Sequence, residues 1–271
     1  MTRPSTVTCI IVNALLAVTG SESVAAQVST PATIGSTSAS RILPPAPAYV
    51  FPAKKYTYSV QWRLFNAGTA TVQIHRSGDS EHITATANSS GFPDKIFRVH
   101  NIFNADIDPG SYCTLRVSKH SEEGPRRHEL NELLNYSRLK SEVDLTDLKT
   151  SEKKHIEFDI PPCVTDVVSG FFYVASLPLT LGYSQTFPVN DNGKTTDVMI
   201  KVEGYEHVKG PMGEFETVRV AAEPLSGPLK GKGVLWVWFT TDHPRLAVQI
   251  KSKLGFATLF FQLQRAEPAS K

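Results

Sequence analysis

From residue 56 onward, apolar and polar positions alternate with a period of two. Tyr56, Tyr58, Val60, Trp62 and Leu64 fall on one side of an extended segment, because successive strand side chains point to opposite faces. Asn66-Ala67-Gly68 then turns the chain, and the alternation resumes through Ala70, Val72 and Ile74. Two such runs around a Gly-containing turn predict a β-hairpin. Similar runs recur at 83–88, 96–103, 112–119 and 155–160, and again at 184–189, 195–205, 217–222, 233–240, 246–251 and 257–264. Asn192-Gly193 and Pro211-Met212-Gly213 supply turn signals between them. Many short strands without interleaved amphipathic helices predict a mostly all-β chain, folded as a strongly curved antiparallel sheet or a barrel.

One stretch breaks the rhythm. Residues 163–178 read as a helix over about 165–176, with Thr165 or Asp166 able to cap its start and Pro178 to stop it. Val167, Phe171 and Val174 share one face; Val168, Phe172 and Ala175 share the next. A helix apolar over that much of its circumference has to be buried, so it is expected against the concave side of the sheet or in a barrel mouth. Residues 127–136 offer a second, weaker helix, through Leu130, Leu133 and Leu134, and a strand there fits nearly as well.

The N-terminus changes the picture. Arg3 precedes an apolar run from Cys9 to Val18, and Val24-Ala25-Ala26-Gln27 offers a small-residue cleavage site. That order predicts a secretory signal peptide over 1–26 and a periplasmic or secreted product. Cys9 lies at the front of the run, so no lipoprotein cysteine is indicated. Residues 27–53 are rich in Ser, Thr, Ala and Pro and read as a disordered linker. A single β domain is expected over 54–265. No later run is long and apolar enough for a transmembrane helix. Removing the leader leaves two of the three cysteines, Cys113 and Cys163. In an oxidising compartment an even pair predicts a disulfide. It would close a loop of about 50 residues, worth roughly 4 kcal/mol of chain entropy. The other reading is two buried thiols.

Composition adds mainly exclusions. The chain is 41% hydrophobic and 20% charged, with 28 basic against 26 acidic residues and a net charge of +2. That balance gives no basic face for nucleic acid. His128-Glu129 begins like a zinc-protease helix but lacks the second His one turn later. His155, Glu157 and Asp159 share one strand face, yet neighbours on one strand sit too far apart to chelate alone. Gly182-Tyr183-Ser184-Gln185-Thr186 falls short of a nucleophile elbow, because the closing Gly is missing. Asp242-His243-Pro244-Arg245 reads as turn chemistry, with Arg245 available to a carboxylate. The eight histidines are scattered without a recognisable context. The chain therefore reads as non-catalytic, with no cofactor and no metal site.

Residues 56–263 resemble a family of exported bacterial proteins known as domain of unknown function 3108. The matching pieces are Tyr58-x-Val60-x-Trp62 with Ala67-Gly68, then Cys163-Val164-x-Asp166-Val167-Val168-Ser169 with Phe172-Tyr173. Leu177-Pro178-Leu179 with Gly182, Gly204, Gly213-x-Phe215-x-Thr217, Trp238-Phe239-x-x-Asp242 and Lys253-Leu254-Gly255 follow in order. Ala175 departs from the pattern, which often has an arginine there. The resemblance implies a curved antiparallel sheet or barrel in the cell envelope, distantly like envelope lipid-carrier folds, and no reaction.

The leading expectation is an exported envelope protein that binds an apolar or amphiphilic ligand such as a lipid. Tyr58, Val60, Trp62, Phe171, Phe172, Trp236 and Trp238 are the candidate lining; the alternative has them simply fill the core. A hydrolase with dispersed catalytic residues, or a scaffold binding another envelope protein by strand addition, are the competing readings.

Overall fold

The computed structural model describes residues 40–43, 53–63, 65–227, 230–231, 233–254 and 257–269. The predicted signal peptide and most of the predicted linker lie outside them. Within the predicted linker, the Arg41 N–H donates to the Thr186 carbonyl at 3.3 Å, the Leu43 N–H donates to the Tyr173 hydroxyl at 3.0 Å, and Ile42 packs on the core.

The strands are β1 (Lys54–Trp62), β2 (Phe65–Ser77), β3 (Ser80–Ser89), β4 (Val99–Ile107), β5 (Thr114–Glu123), β6 (Arg126–Asn135), β7 (Lys140–Asp147) and β8 (Lys153–Asp159). After a break come β9 (Thr165–Asp166), β10 (Ser184–Asp191), β11 (Lys194–Gly210), β12 (Gly213–Pro224), β13 (Gly233–Thr240), β14 (Ala247–Leu254) and β15 (Ala257–Pro268). They form one sheet in the order β8 to β1, then β15 down to β9. Every pairing is antiparallel except β9 with β10. β8 and β9 end the sheet and do not pair, so it is curved but not closed.

Alternation explains the strands. In β4, Val99, Asn101, Phe103, Ala105 and Ile107 are buried, and the residues between them are only partly so. Residues 126–135 settle as strand β6, not a helix. Leu130, Glu132 and Leu134 are buried while Leu133 stays 43% exposed, which period two produces and helical spacing would not. Two helices interrupt the meander: α1 (Gly91–Ile96) between β3 and β4, and α2 (Ser169–Ser176) after β9. The long helix expected over 165–176 is thus a two-residue strand followed by two helical turns. Asp166 still serves its start, accepting the N–H groups of Val168 and Ser169 at 2.8 Å each.

The concave face has two halves. Over β1–β4 and β13–β15 it is largely apolar, with Glu81, Asn101 and Ser252 among its buried polar residues, and it receives α2. Over β5–β7 it carries buried Lys119, Ser121, Glu123, Glu132 and Ser141 and receives the β10–β11 turn. Lys119 Nζ donates to Asn192 Oδ1 at 2.8 Å and pairs with Asp191. Glu132 accepts from Ser141 Oγ at 2.6 Å and from the Gly193 N–H, while burial pushes its carboxyl above the usual range. These contacts tie the two ends of the sheet together without closing the ladder.

Gly193 sits at the centre of that seam. Its φ is +80°, and a Cβ there would overlap the Phe158 ring and reach Val143 at 2.9 Å. Gly182 has a similar φ of +81° but open space around it. Gly193→Ala should therefore cost roughly 2–3 kcal/mol, from strain plus overlap. Gly182→Ala should cost only about 1 kcal/mol, from strain alone. Urea midpoints of the two variants check this, and equal losses would remove the seam from the account.

Candidate functional site

A cavity of about 110 Å³ lies between α2 and the apolar half of the concave face. Alternation in β1 aims Tyr56, Tyr58 and Val60 into it, and Phe103, Phe239 and Phe261 extend that wall from β4, β13 and β15. Phe171, Phe172 and Ala175 of α2 face them. The site exists because α2 is held off the sheet at both ends. At its start, Cys163 is disulfide-bonded to Cys113, with Cα atoms 5.1 Å apart. Beside the bridge the Thr114 N–H donates to the Val164 carbonyl at 2.8 Å, and the Thr114 hydroxyl donates to Asp166 Oδ2 at 2.8 Å. At its end, Arg245 Nη1 donates to the carbonyls of Ala175 and Leu177, both at 2.8 Å. α2 has no basic residue in its last turn, so this guanidinium supplies the cation that a helix C-terminus favours.

The walls are mostly hydrocarbon, with a few polar groups that are largely satisfied. Tyr58 donates its hydroxyl to the Ala247 carbonyl at 2.9 Å. Burial pushes the Tyr56 phenol up to about 12 and raises Tyr58 further, Tyr56 adding to the effect. Both therefore remain neutral phenols at physiological pH. Thr71 and Thr86 share a hydrogen bond of 2.7 Å across β2 and β3, and Asn101 donates to buried Glu123 at 2.8 Å. Arg245 also borders the space. Such a wall suits an apolar guest and offers little to orient a reacting polar group.

Of the seven aromatic and aliphatic residues read from sequence, the structure brings Tyr58, Val60, Phe171 and Phe172 to this cavity. Trp62 packs on the core beneath Arg63, whose Cζ is 5.3 Å from the ring. Trp236 carries Lys251 Nζ at 5.5 Å from its ring. Trp238 donates Nε1–H to Glu206 at 2.7 Å, a carboxylate that also pairs with Arg219. Arg245, read as a turn residue available to a carboxylate, holds helix carbonyls and borders the cavity. Its sequence offered no signal for that, since the contact spans 70 residues.

The other motifs are dispersed. The hydrogen bonds seen for histidine side chains run to carboxylates and one amide: His82 to Asp106, His100 to Asn88, His120 to Glu129 and Glu122, His155 to Asp144, and His207 to Glu216 and Glu214. Ser184, at the start of β10, and His243, in the connection between β13 and β14, are both exposed. Among the described residues no group of three or more His, Cys, Asp or Glu side chains has metal-binding geometry. Among them, too, no helix is long and apolar enough to cross a membrane.

A solved structure shares this architecture. The chain is similar to the crystal structure of a β-barrel-like protein of the domain of unknown function DUF1849 from Brucella abortus. The TM-score is 0.57 at 10% identity, covering 86% of this chain and all of that one. A protein with a YmcC-like fold from Bacteroides fragilis matches at a TM-score of 0.30 and 8% identity, covering 84% of this chain and all of that one. No curated protein matches the sequence. Residues 57–264 match the family described as "Protein of unknown function (DUF3108)". That match spans most of the chain, from β1 into β15, and includes α2 and the walls it faces, so the protein belongs to the DUF3108 family.

Proposed function

We propose that this is an exported envelope protein that holds a slender apolar or amphiphilic molecule between α2 and the sheet. The observation that carries the reading is the cavity itself, about 110 Å³ between aromatic walls that a pinned helix keeps apart. Apolar cavities of roughly 150 Å³ stay dry and take up a single aromatic ring, as one engineered core shows, whereas pockets for whole drug-sized ligands start near 300 Å³. The guest is accordingly a length of alkyl chain or one ring, with any polar part outside. Export is supported by the leader-like N-terminus and by the Cys113–Cys163 bridge, which persists in oxidising compartments. No reaction is part of the reading.

The unclosed sheet leaves β8 as an edge, the kind of site at which a partner strand adds. Its exposed Lys153, Lys154, Glu157 and Asp159 are the kind of charges that blunt such edges, so the cavity is the better supported site.

Native mass spectrometry of protein purified from the periplasm of its host tests the proposal. The expected result is a chain that begins after the leader and carries a lipid-like adduct removable by organic solvent. Ala85 lines the cavity, so Ala85→Leu, which fills it, should lose the adduct and keep the fold. A wild-type protein bare under gentle conditions sinks the ligand reading. An adduct retained by Ala85→Leu moves the ligand elsewhere.

A further inference from the structure

The end of the sheet above this cavity carries exposed apolar side chains that the core does not use. Phe65, opening β2, is 48% exposed; Phe92 and Ile96 on α1 are 57% and 60% exposed. The Phe65 and Phe92 rings lie 5.8 Å apart, so they form one patch. The β5–β6 turn joins it: the Gly124 N–H donates to the Arg98 carbonyl at 2.8 Å, and the Phe97 ring lies against Gly124. An antiparallel meander puts the β1–β2 turn, α1 and the β5–β6 turn at one end of the sheet, because alternate connections share an end.

Basic residues surround this patch. Arg63, Lys95, Arg98 and Arg126 are exposed, and no ion pair joins any of them to a described carboxylate. The nearby acids are otherwise engaged: Asp94 accepts from the Ser89 hydroxyl, Glu122 pairs with Arg127 and His120, and Glu123 is buried against Asn101. Apolar side chains ringed by uncompensated cations match an anionic lipid surface, which takes the first into the acyl boundary and the second at its phosphates. The patch also continues into the cavity. Gly68 and Ser89, which line that space, lie at the base of α1, where the Ser90 N–H donates to the Ala67 carbonyl at 2.9 Å.

We infer that the α1 end of the sheet docks on an anionic membrane surface, with Phe65, Phe92 and Ile96 inserted and Arg63, Lys95, Arg98 and Arg126 at the headgroups. Docking does not require the cavity to be occupied, so it stands or falls apart from the ligand reading. A docked protein would hold the α1 side of the cavity next to the bilayer, where an alkyl chain could pass without crossing water.

Vesicle co-sedimentation tests this with the full chain from an exporting host, its N-terminus read by mass spectrometry. The expected result is binding to vesicles of phosphatidylcholine mixed with phosphatidylglycerol, weak binding to phosphatidylcholine alone, and loss at high salt. Lys95→Gln with Arg98→Gln should weaken binding about thirtyfold, two cations being removed from an anionic surface. Phe92→Ser with Ile96→Ser should weaken it about tenfold or more at every salt concentration. Both variants change exposed side chains, and unchanged circular dichroism would show them folded. Overturning results are no binding to any vesicle, or variants that bind like wild type. A dimer in solution that Phe92→Ser dissociates, without vesicle binding, would assign the patch to a second copy and also overturn the inference.

Discussion

Serine at both Cys113 and Cys163 is expected to lower the unfolding free energy by about 4 kcal/mol, the chain-entropy cost of releasing a loop of roughly 50 residues. The two sulfurs join residues 50 apart in sequence and close the loop that contains β5, β6, β7 and β8. The bridge ties the start of the α2 segment to the end of the β4–β5 connection, so the loss falls where the helix is positioned. Urea unfolding of oxidised and Cys-to-Ser protein measures it. The midpoint should fall, and a larger m-value would show that the unbridged denatured chain exposes more surface. An unchanged midpoint would mean that the hydrogen bonds around Asp166 alone hold this corner.

Asp166→Ala is expected to cost a comparable amount, roughly 3 kcal/mol or more. Asp166 is 3% exposed. Its side-chain oxygens accept from the Thr114 hydroxyl, the Ser169 hydroxyl and the N–H groups of Val168 and Ser169. Alanine leaves two backbone donors and two hydroxyls buried without that acceptor, and each stranded group costs about 1–3 kcal/mol. Asp166→Asn keeps one oxygen for the two N–H groups, and its amide can donate to hydroxyls that rotate to accept. Its loss should be nearer 1 kcal/mol. Chemical denaturation separates the two variants, and equal losses would show that hydrogen-bond geometry is not what matters. Thr114 is the neighbour of Cys113 and Asp166 lies three residues from Cys163, so the bridge and the Asp166 cluster share one task. Their losses should couple instead of adding. Either change frees the entry of α2, and on the proposed function it would also release a ligand held beneath Phe171 and Phe172.

Much of the strand content was legible because side chains alternate. Tyr56, Tyr58 and Val60 read as one face and are buried together. Residues 127–136 were ambiguous because Leu130, Leu133 and Leu134 satisfy both periods; only Glu132, an acid buried at 2% exposure, marks the inward face, and an acid is the last residue one assigns there. α1 was not foreseen. Gly91-Phe92-Pro93-Asp94-Lys95-Ile96 is too short to show a helical period, and Phe92 and Ile96 face solvent while only Pro93 is buried. The predicted lining was split by parity: Phe239 borders the cavity, whereas Trp236 and Trp238 alternate with it along β13, and the register slips between Trp238 and Phe239. Aromatic content along a strand does not reveal such slips.

The sequence alone determined what depends on near neighbours: most of the segments that extend, several of the turns, that one apolar segment must be covered, and that Cys113 and Cys163 are a candidate pair. Period, turn chemistry and burial tendency are local properties, written in a few consecutive residues. Only the tertiary structure decided how far the sheet curls, that the β10–β11 turn lands on Lys119 and Glu132, that Arg245 reaches the end of α2, and that a space is left beneath that helix. Those outcomes rest on contacts between residues 50 or more positions apart. Their geometry follows from accumulated twist, bulges and register, which no single stretch of chain encodes.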